Sequence, residues 1–273
     1  MTVDGFPRVV LIYGTGLIGA SFGLALKEQI PGVRVYGVDA SDVLERAQSV
    51  GAIDAGPRPA SAVPELIILA APVGTILQLL DDLPSAASVV FDVGSTKVDI
   101  CRKAESRGLS FVGGHPMTGS EKSGPEAASA DLFRGAPFFL CPVPSASQST
   151  LSRVTRIVET IGAKPVVMTA EEHDRVVAQM SHLPQILSTL LADQTSDRHD
   201  LAGPGWKSLT RLAASNFHVW RDILQTSGSL PLELRLFTDR LCVVLDALES
   251  GNMNNIEAMF ERANRAVSEE GRE

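Results

Sequence analysis

Residues 14–19 read Gly14-Thr15-Gly16-Leu17-Ile18-Gly19, and what flanks them narrows the fold more than any other feature of the chain. The apolar run Val9–Tyr13 before them reads as a strand, and a helical pattern begins near Leu17. In a strand–turn–helix of this kind the three glycines have separate uses: a tight turn, close approach of the backbone to a pyrophosphate, and close helix–strand packing. The helix start adds free N–H groups and the positive end of its dipole, which suit phosphate oxygens. Asp39 ends the next strand-like run, 20 residues beyond Gly19. A carboxylate there accepts from ribose hydroxyls and repels a 2′-phosphate, so the expected cofactor is NAD rather than NADP. Ala71 and Pro72, ending another apolar run, are small enough to line the same crevice.

The rest of the first half keeps the same rhythm. Strand-like runs at Arg8–Tyr13, Val33–Val38, Leu66–Ala71, Ser88–Val93 and Ser110–Val112 alternate with helical patterns at Leu17–Gln29, Asp42–Val50, Thr75–Asp82 and Lys97–Arg107. Such alternation implies a parallel sheet covered on both faces. Two further strands are expected at Pro137–Cys141 and Pro165–Met168, around a helix at Gln148–Ile161. Beyond about residue 170 only helical patterns remain: Glu171–Asp193, Lys207–Ala214, His218–Thr226, Pro231–Ser250 and Ile256–Val267. The expected organisation is an α/β dinucleotide-binding domain over residues 1–170 and an all-α domain over 171–273. The run Leu232–Leu248 is apolar on more than one face, which suits a helix with several neighbours.

Composition narrows the function. A formal charge of −8 without a basic run argues against nucleic acid as a partner. The longest uncharged apolar stretch, Leu66–Leu80, contains Pro72 and Gly74 and is shorter than the roughly 20 residues a membrane span needs, so no membrane association is expected. Three scattered cysteines without metal spacing, and an N-terminus without a charged-then-apolar pattern, lead us to expect a reduced, cytoplasmic protein with no bound metal.

A reacting group is needed beside the dinucleotide. Gly113-Gly114-His115-Pro116 follows a short apolar run, so His115 is held at a strand end by glycines that permit close approach and a proline that favours extended backbone before it. Gly94-Ser95-Thr96-Lys97 ends the preceding strand, where Ser95 can cap a helix or donate to a neighbouring histidine. The helical half adds Ser181-His182-Leu183-Pro184-Gln185, then Lys207–Arg211, then Trp220-Arg221-Asp222.

These segments, with His173-Asp174 and the order GTGLIG, GSTK, GGHPMTGSEKSG, SHLPQ, GPGWKSLTRLAAS and WRDI, resemble the prephenate/arogenate dehydrogenase family of tyrosine biosynthesis along nearly the whole chain. The resemblance implies a Rossmann-like domain, a helical dimerisation domain, a homodimer and NAD-dependent oxidative decarboxylation of a cyclohexadiene, prephenate to 4-hydroxyphenylpyruvate or arogenate to tyrosine. It also implies that His115 is the base, oriented by Ser95, that Arg211 holds a carboxylate, and that His182, Ser181, Ser120, Glu121 and Gln185 line the substrate. Histidine suits the base because its neutral form is available near pH 7. Arginine suits the carboxylate because its planar fork grips both oxygens.

Many members of the family carry a second histidine where this chain has Gln185, an amide that cannot be positively charged. With Glu121 available for an ammonium group, arogenate is expected to be used as well as prephenate. The polar stretch Ser268–Glu273 leaves the expectation that no regulatory domain follows, so tyrosine feedback would act at the substrate pocket. Two other readings share parts of the pattern. One is an enzyme acting on 4-amino-4-deoxyprephenate. The other is a β-hydroxyacid-type dehydrogenase, whose catalytic-lysine spacing Lys207 does not match.

Overall fold

The computed structural model describes residues 5–56, 58–83, 89–119 and 122–270. Strands β1 (Val9–Tyr13), β2 (Arg34–Val38), β3 (Leu66–Leu69), β4 (Val89–Asp92), β5 (Phe111–Pro116), β6 (Pro137–Pro142) and β7 (Lys164–Val167) form one sheet in the order β2-β1-β3-β4-β5-β6-β7. Helices α1 (Leu17–Gln29), α2 (Ser41–Ser49), α3 (Val73–Asp82), α4 (Val98–Ser106) and α5 (Gln148–Thr160) connect them. Every residue of β3 and β4 is buried, as the continuous apolar runs of strands covered on both faces require. One face packs Phe22, Phe91 and Phe138, with Phe22 edge-on to the other two at 5.6 and 6.0 Å. The other face packs Leu69, Ile76, Leu80, Ile100 and Phe111. Together these two layers hold the strand ends in fixed register.

One strand pair departs from the parallel pattern. β5 and β6 run antiparallel, with His115 opposite Phe139. Among the described residues their connection carries the 3₁₀ turns Pro125–Ala127 and Ala130–Phe133 and no crossover helix, as an antiparallel return allows. α5 then restores a parallel crossover to β7.

Among the described residues no strand follows β7. The expected single helix Glu171–Asp193 is instead α6 (Ala170–Val177), a π-helical turn Ala178–His182, and α7 (Leu183–Gln194). Pro184 explains the break: it has no N–H to donate and its ring crowds the carbonyl four residues back, so the ladder loosens just before it. Likewise Lys207–Ala214 is split between α8 (Pro204–Leu209) and a 3₁₀ turn Arg211–Ala214, followed by α9 (Phe217–Thr226).

The chain divides into two compact units, Met1–Gly228 and Ser229–Glu273. The second holds α10 (Leu230–Ser250) and α11 (Met253–Glu270), with Gly251 ending α10 in a left-handed conformation, φ +69°. Along α10, Leu232, Leu236, Leu241, Leu245 and Leu248 are all exposed in the single chain. Among the described residues no helix is long and apolar enough to cross a membrane.

Candidate active site

The connection from β1 leads to β2 on one side, and the next crossover returns to β3 on the other. Such a reversal opens a crevice at the carboxyl ends of the strands. Gly16, Leu17, Ile18, Ala70, Ala71, Pro72, Val93, Gly94 and Ser95 line a cavity there of about 370 Å³, with His218 and Val219 of α9 on its far wall. Two contacts fix α9 in place: Asp222 Oδ2 accepts from the Gly74 N–H at the start of α3 (3.1 Å), and Thr96 Oγ1 meets Thr226 Oγ1 at 2.7 Å.

The glycine loop divides its labour as its spacing implies. Gly14 has φ +86°, and a Cβ there would come within 2.2 Å of Ala70 O. A Cβ on Gly19 would come within 1.9 Å of Gly14 O, so that glycine brings helix and turn together. At Gly16 a Cβ would meet no atom within 4 Å, so protein packing does not demand a glycine there. Gly16 is the N-cap of α1 and no side chain caps that helix start. Open space before uncapped N–H groups is what a pyrophosphate requires. Asp39, exposed at the end of β2, is tied to the loop by Thr15 N (2.7 Å) and Thr15 Oγ1 (3.3 Å). The crevice residues therefore fit a dinucleotide.

His115 sits on the same edge of the sheet, at the end of β5. Its Nδ1 lies 2.9 Å from Nε2 of His173, and Nδ1 of His173 lies 2.8 Å from Asp174 Oδ1. This corrects the expectation for Ser95: His173, not Ser95, holds the His115 ring, while Ser95 lines the crevice. Nor does Ser95 cap α4. Asp174 does so, its carboxylate accepting from Lys97 N (2.7 Å) and Val98 N (3.0 Å). Beneath the loop, Lys97 Nζ forms a fully buried ion pair with Asp92. Asp92 also accepts from Gly94 N (2.8 Å) and Gly114 N (3.1 Å), joining the Ser95 loop to the His115 strand. Gly113 and Gly114 have little room for side chains, since a Cβ would lie 2.7 Å from Cys101 Sγ and 2.3 Å from Asp92 O respectively.

Burial holds three histidines neutral. Desolvation, with His173, Lys97 and His182 nearby, pushes the His115 pKa well below its ordinary value. Burial lowers that of His173 also, against the opposing pull of Asp174. His182 falls to about 4, again through burial. A histidine lowered on folding stabilises the native state above its unfolded pKa and loses that contribution as pH falls toward its folded one. For His182 the window runs from about 6.5 down to about 4, a span of about 3 kcal/mol. The urea midpoint is therefore expected to fall across pH 6.5–4, and His182→Gln to flatten that decline.

His182 is buried rather than open to the crevice: Nδ1 meets Ser227 Oγ at 2.8 Å and its ring stands edge-on to Trp220 at 5.8 Å. Ser181 precedes it in the π-turn, half-buried. Gln185 spends both ends of its amide on the segment carrying Arg211: Nε2 donates to Leu212 O (2.9 Å) and Oε1 accepts from Ser215 Oγ (3.3 Å). Arg211 is exposed and begins that 3₁₀ turn. Ser120 and Glu121 lie outside the described residues.

Sequence reasoning did not foresee Lys97 and Asp92 as a buried pair, His173 as the partner of His115, or His218 on the crevice wall. Adjacent His173-Asp174 was the one visible signal.

Comparison with known proteins adds to this geometry. Residues 22–167 match the family model for the prephenate dehydrogenase nucleotide-binding domain, and residues 169–262 that for the prephenate dehydrogenase dimerization domain. The chain is 36% identical to prephenate dehydrogenase of Bacillus subtilis over 237 residues, 79% of this chain and 63% of that protein. It is 32% identical to prephenate dehydrogenase of Lactococcus lactis, over 94% of this chain and 76% of that protein. The fold is similar to the crystal structure of Aquifex aeolicus prephenate dehydrogenase in complex with hydroxyphenyl propionate and NAD⁺. There the TM-score is 0.88 and the identity 28%, over 96% of this chain and 98% of that one.

Proposed function

The chain belongs to the prephenate dehydrogenase family, and on that premise we propose that it oxidatively decarboxylates prephenate with NAD⁺, accepting arogenate as a second substrate. The observation that carries this reading is a neutral, half-buried histidine on the sheet edge that also bears a dinucleotide crevice. The Gly14–Gly19 loop would hold the pyrophosphate and Asp39 the adenosine ribose, with Ala71, Pro72 and Ser95 along the wall. When bound, NAD⁺ supplies the hydride acceptor. His115 takes the proton of the ring hydroxyl as that carbon becomes a carbonyl. The ring carboxylate then leaves as CO₂; its bonding electrons pass through the ring to the carbonyl oxygen, which takes up a proton to give the aromatic phenol.

Arg211 binds the substrate carboxylate, and Gln185 supports that role by bracing the turn Arg211–Ala214. Since Gln185 adds no cation, the side-chain end of the ring is free to carry the ammonium group of arogenate. His182 and Ser181 support the wall behind. Arg211→Ala is expected to raise KM for the cyclohexadiene roughly 10- to 100-fold, the scale of a lost hydrogen bond to a charged group, with a smaller change in kcat. An unchanged KM would mean that another cation holds the carboxylate.

The exposed apolar residues of α10 support a homodimer formed through the helical half, as does the match to a dimerization domain. The substrate reading is tested by following NADH formation with prephenate and arogenate side by side. Turnover of both supports it; turnover of neither overturns it.

A further inference from the structure

We propose that Asp174 and His173 form a hydrogen-bonded relay that fixes the tautomer of His115 and leaves its Nε2 as the proton acceptor. His173 is thereby a positioning residue for the base, an inference that rests on the role of His115 given above.

The argument runs along the chain of donors. An ionised carboxylate can only accept hydrogen bonds. Both oxygens of Asp174 are acceptors here, taking the two N–H groups at the start of α4, where the helix dipole also favours negative charge. The 2.8 Å contact between Asp174 Oδ1 and His173 Nδ1 therefore puts the proton of His173 on Nδ1. His173 is neutral because burial disfavours its charged form, so its Nε2 carries a lone pair and accepts. At 2.9 Å from that lone pair, Nδ1 of His115 must be the donor. Neutral His115 then has its own lone pair on Nε2, the nitrogen not committed to the relay. Left to itself, histidine populates both tautomers; here the alternative would set two lone pairs against each other.

Packing keeps the rings in this arrangement. The His115 and His173 rings stand 5.1 Å apart at 65°, and Phe139, opposite His115 on β6, lies 5.4 Å from His173 at 82°. A ring flip of His173 would put carbons where its nitrogens stand and so break its bonds to Asp174 and His115. When His115 Nε2 gains a proton, the new imidazolium keeps its Nδ1–H on His173, whose far side faces the carboxylate. The relay thus supports both protonation states without moving.

The test uses the ligand-free full chain carrying ¹⁵N-labelled histidine. With five histidines in the chain, His115→Ala assigns the signal of interest by its disappearance. Two-bond ¹H–¹⁵N correlation at neutral pH should show His115 protonated on Nδ1 and bare on Nε2. In His173→Leu that preference should be lost, whereas His173→Gln, which offers an acceptor oxygen in place of Nε2, should restore it. In turnover, His173→Leu should lower kcat roughly 10- to 100-fold, the scale for removing a group that orients a reacting one, with KM for NAD⁺ unchanged. Adding it to His115→Ala should cost nothing further. His115 protonated on Nε2 in the parent chain, or an unchanged tautomer in His173→Leu, would overturn the relay. Because the spectra need no substrate, they decide the relay even if prephenate and arogenate are not turned over.

Discussion

Replacing His115 with alanine is expected to lower kcat by roughly 10²–10⁴-fold, the usual contribution of a positioned general base. The affinity for NAD⁺ should stay near its original value, because the crevice is lined by α9 and by the segments that follow β1, β3 and β4, none of which carries His115. The fold should survive as well. His115 is half-buried at a strand end, and its side chain hydrogen-bonds to His173. A fall in kcat with normal NAD⁺ binding and an unchanged urea midpoint would place the loss in the chemical step. Full activity in the variant would remove His115 from the reaction.

The second large effect concerns stability. Lys97→Ala should destabilise the protein by about 3–5 kcal/mol, the cost of leaving a buried charge without its partner. Asp92 is wholly buried, and burial already pushes its carboxyl pKa upward while Lys97 pulls against that shift. Without the ammonium group the carboxylate keeps only its two backbone donors, Gly94 and Gly114. The variant should therefore be nearest to the parent at low pH, where a protonated Asp92 no longer needs a cation, and furthest from it above neutrality. Urea unfolding at several pH values measures this. A deficit under 1 kcal/mol at every pH would mean that the pair contributes little to holding the loop before α4 against β5.

What the sequence disclosed and what it hid follow from how local each feature is. The Gly14–Gly19 turn and the strand-end position of His115 are set by residues within a few places of each other, and Asp39 by its spacing of 20 residues from Gly19, so the sequence pattern alone located them. The β1–α1 unit could be read almost residue by residue because strand, glycine turn and helix are consecutive. The partner of His115, by contrast, is 58 residues away and arrives through a crossover, a pair of turns and a helix. Lys97 was equally hidden, since a lysine at a helix start ordinarily faces solvent. Only the fold buries it against Asp92, a carboxylate that also accepts from two backbone N–H groups. The break before Pro184 was visible as a proline, but whether it would kink, end or loosen the helix depended on packing. Gln185 stood out because the resemblance places a histidine there in many members of the family; its amide bonds, to Thr189 and to a segment 27 and 30 residues further on, depend on the fold.

The central claim is that a neutral His115 beside a dinucleotide crevice couples oxidation of a ring hydroxyl to loss of a ring carboxylate. The most direct measurement supplies the purified chain with prephenate and NAD⁺ and records NADH and CO₂ together. Formation of the two in equal amounts, slowed roughly 10²–10⁴-fold in His115→Ala, is the predicted result. NADH formed without CO₂, or no NADH from either prephenate or arogenate, would contradict it.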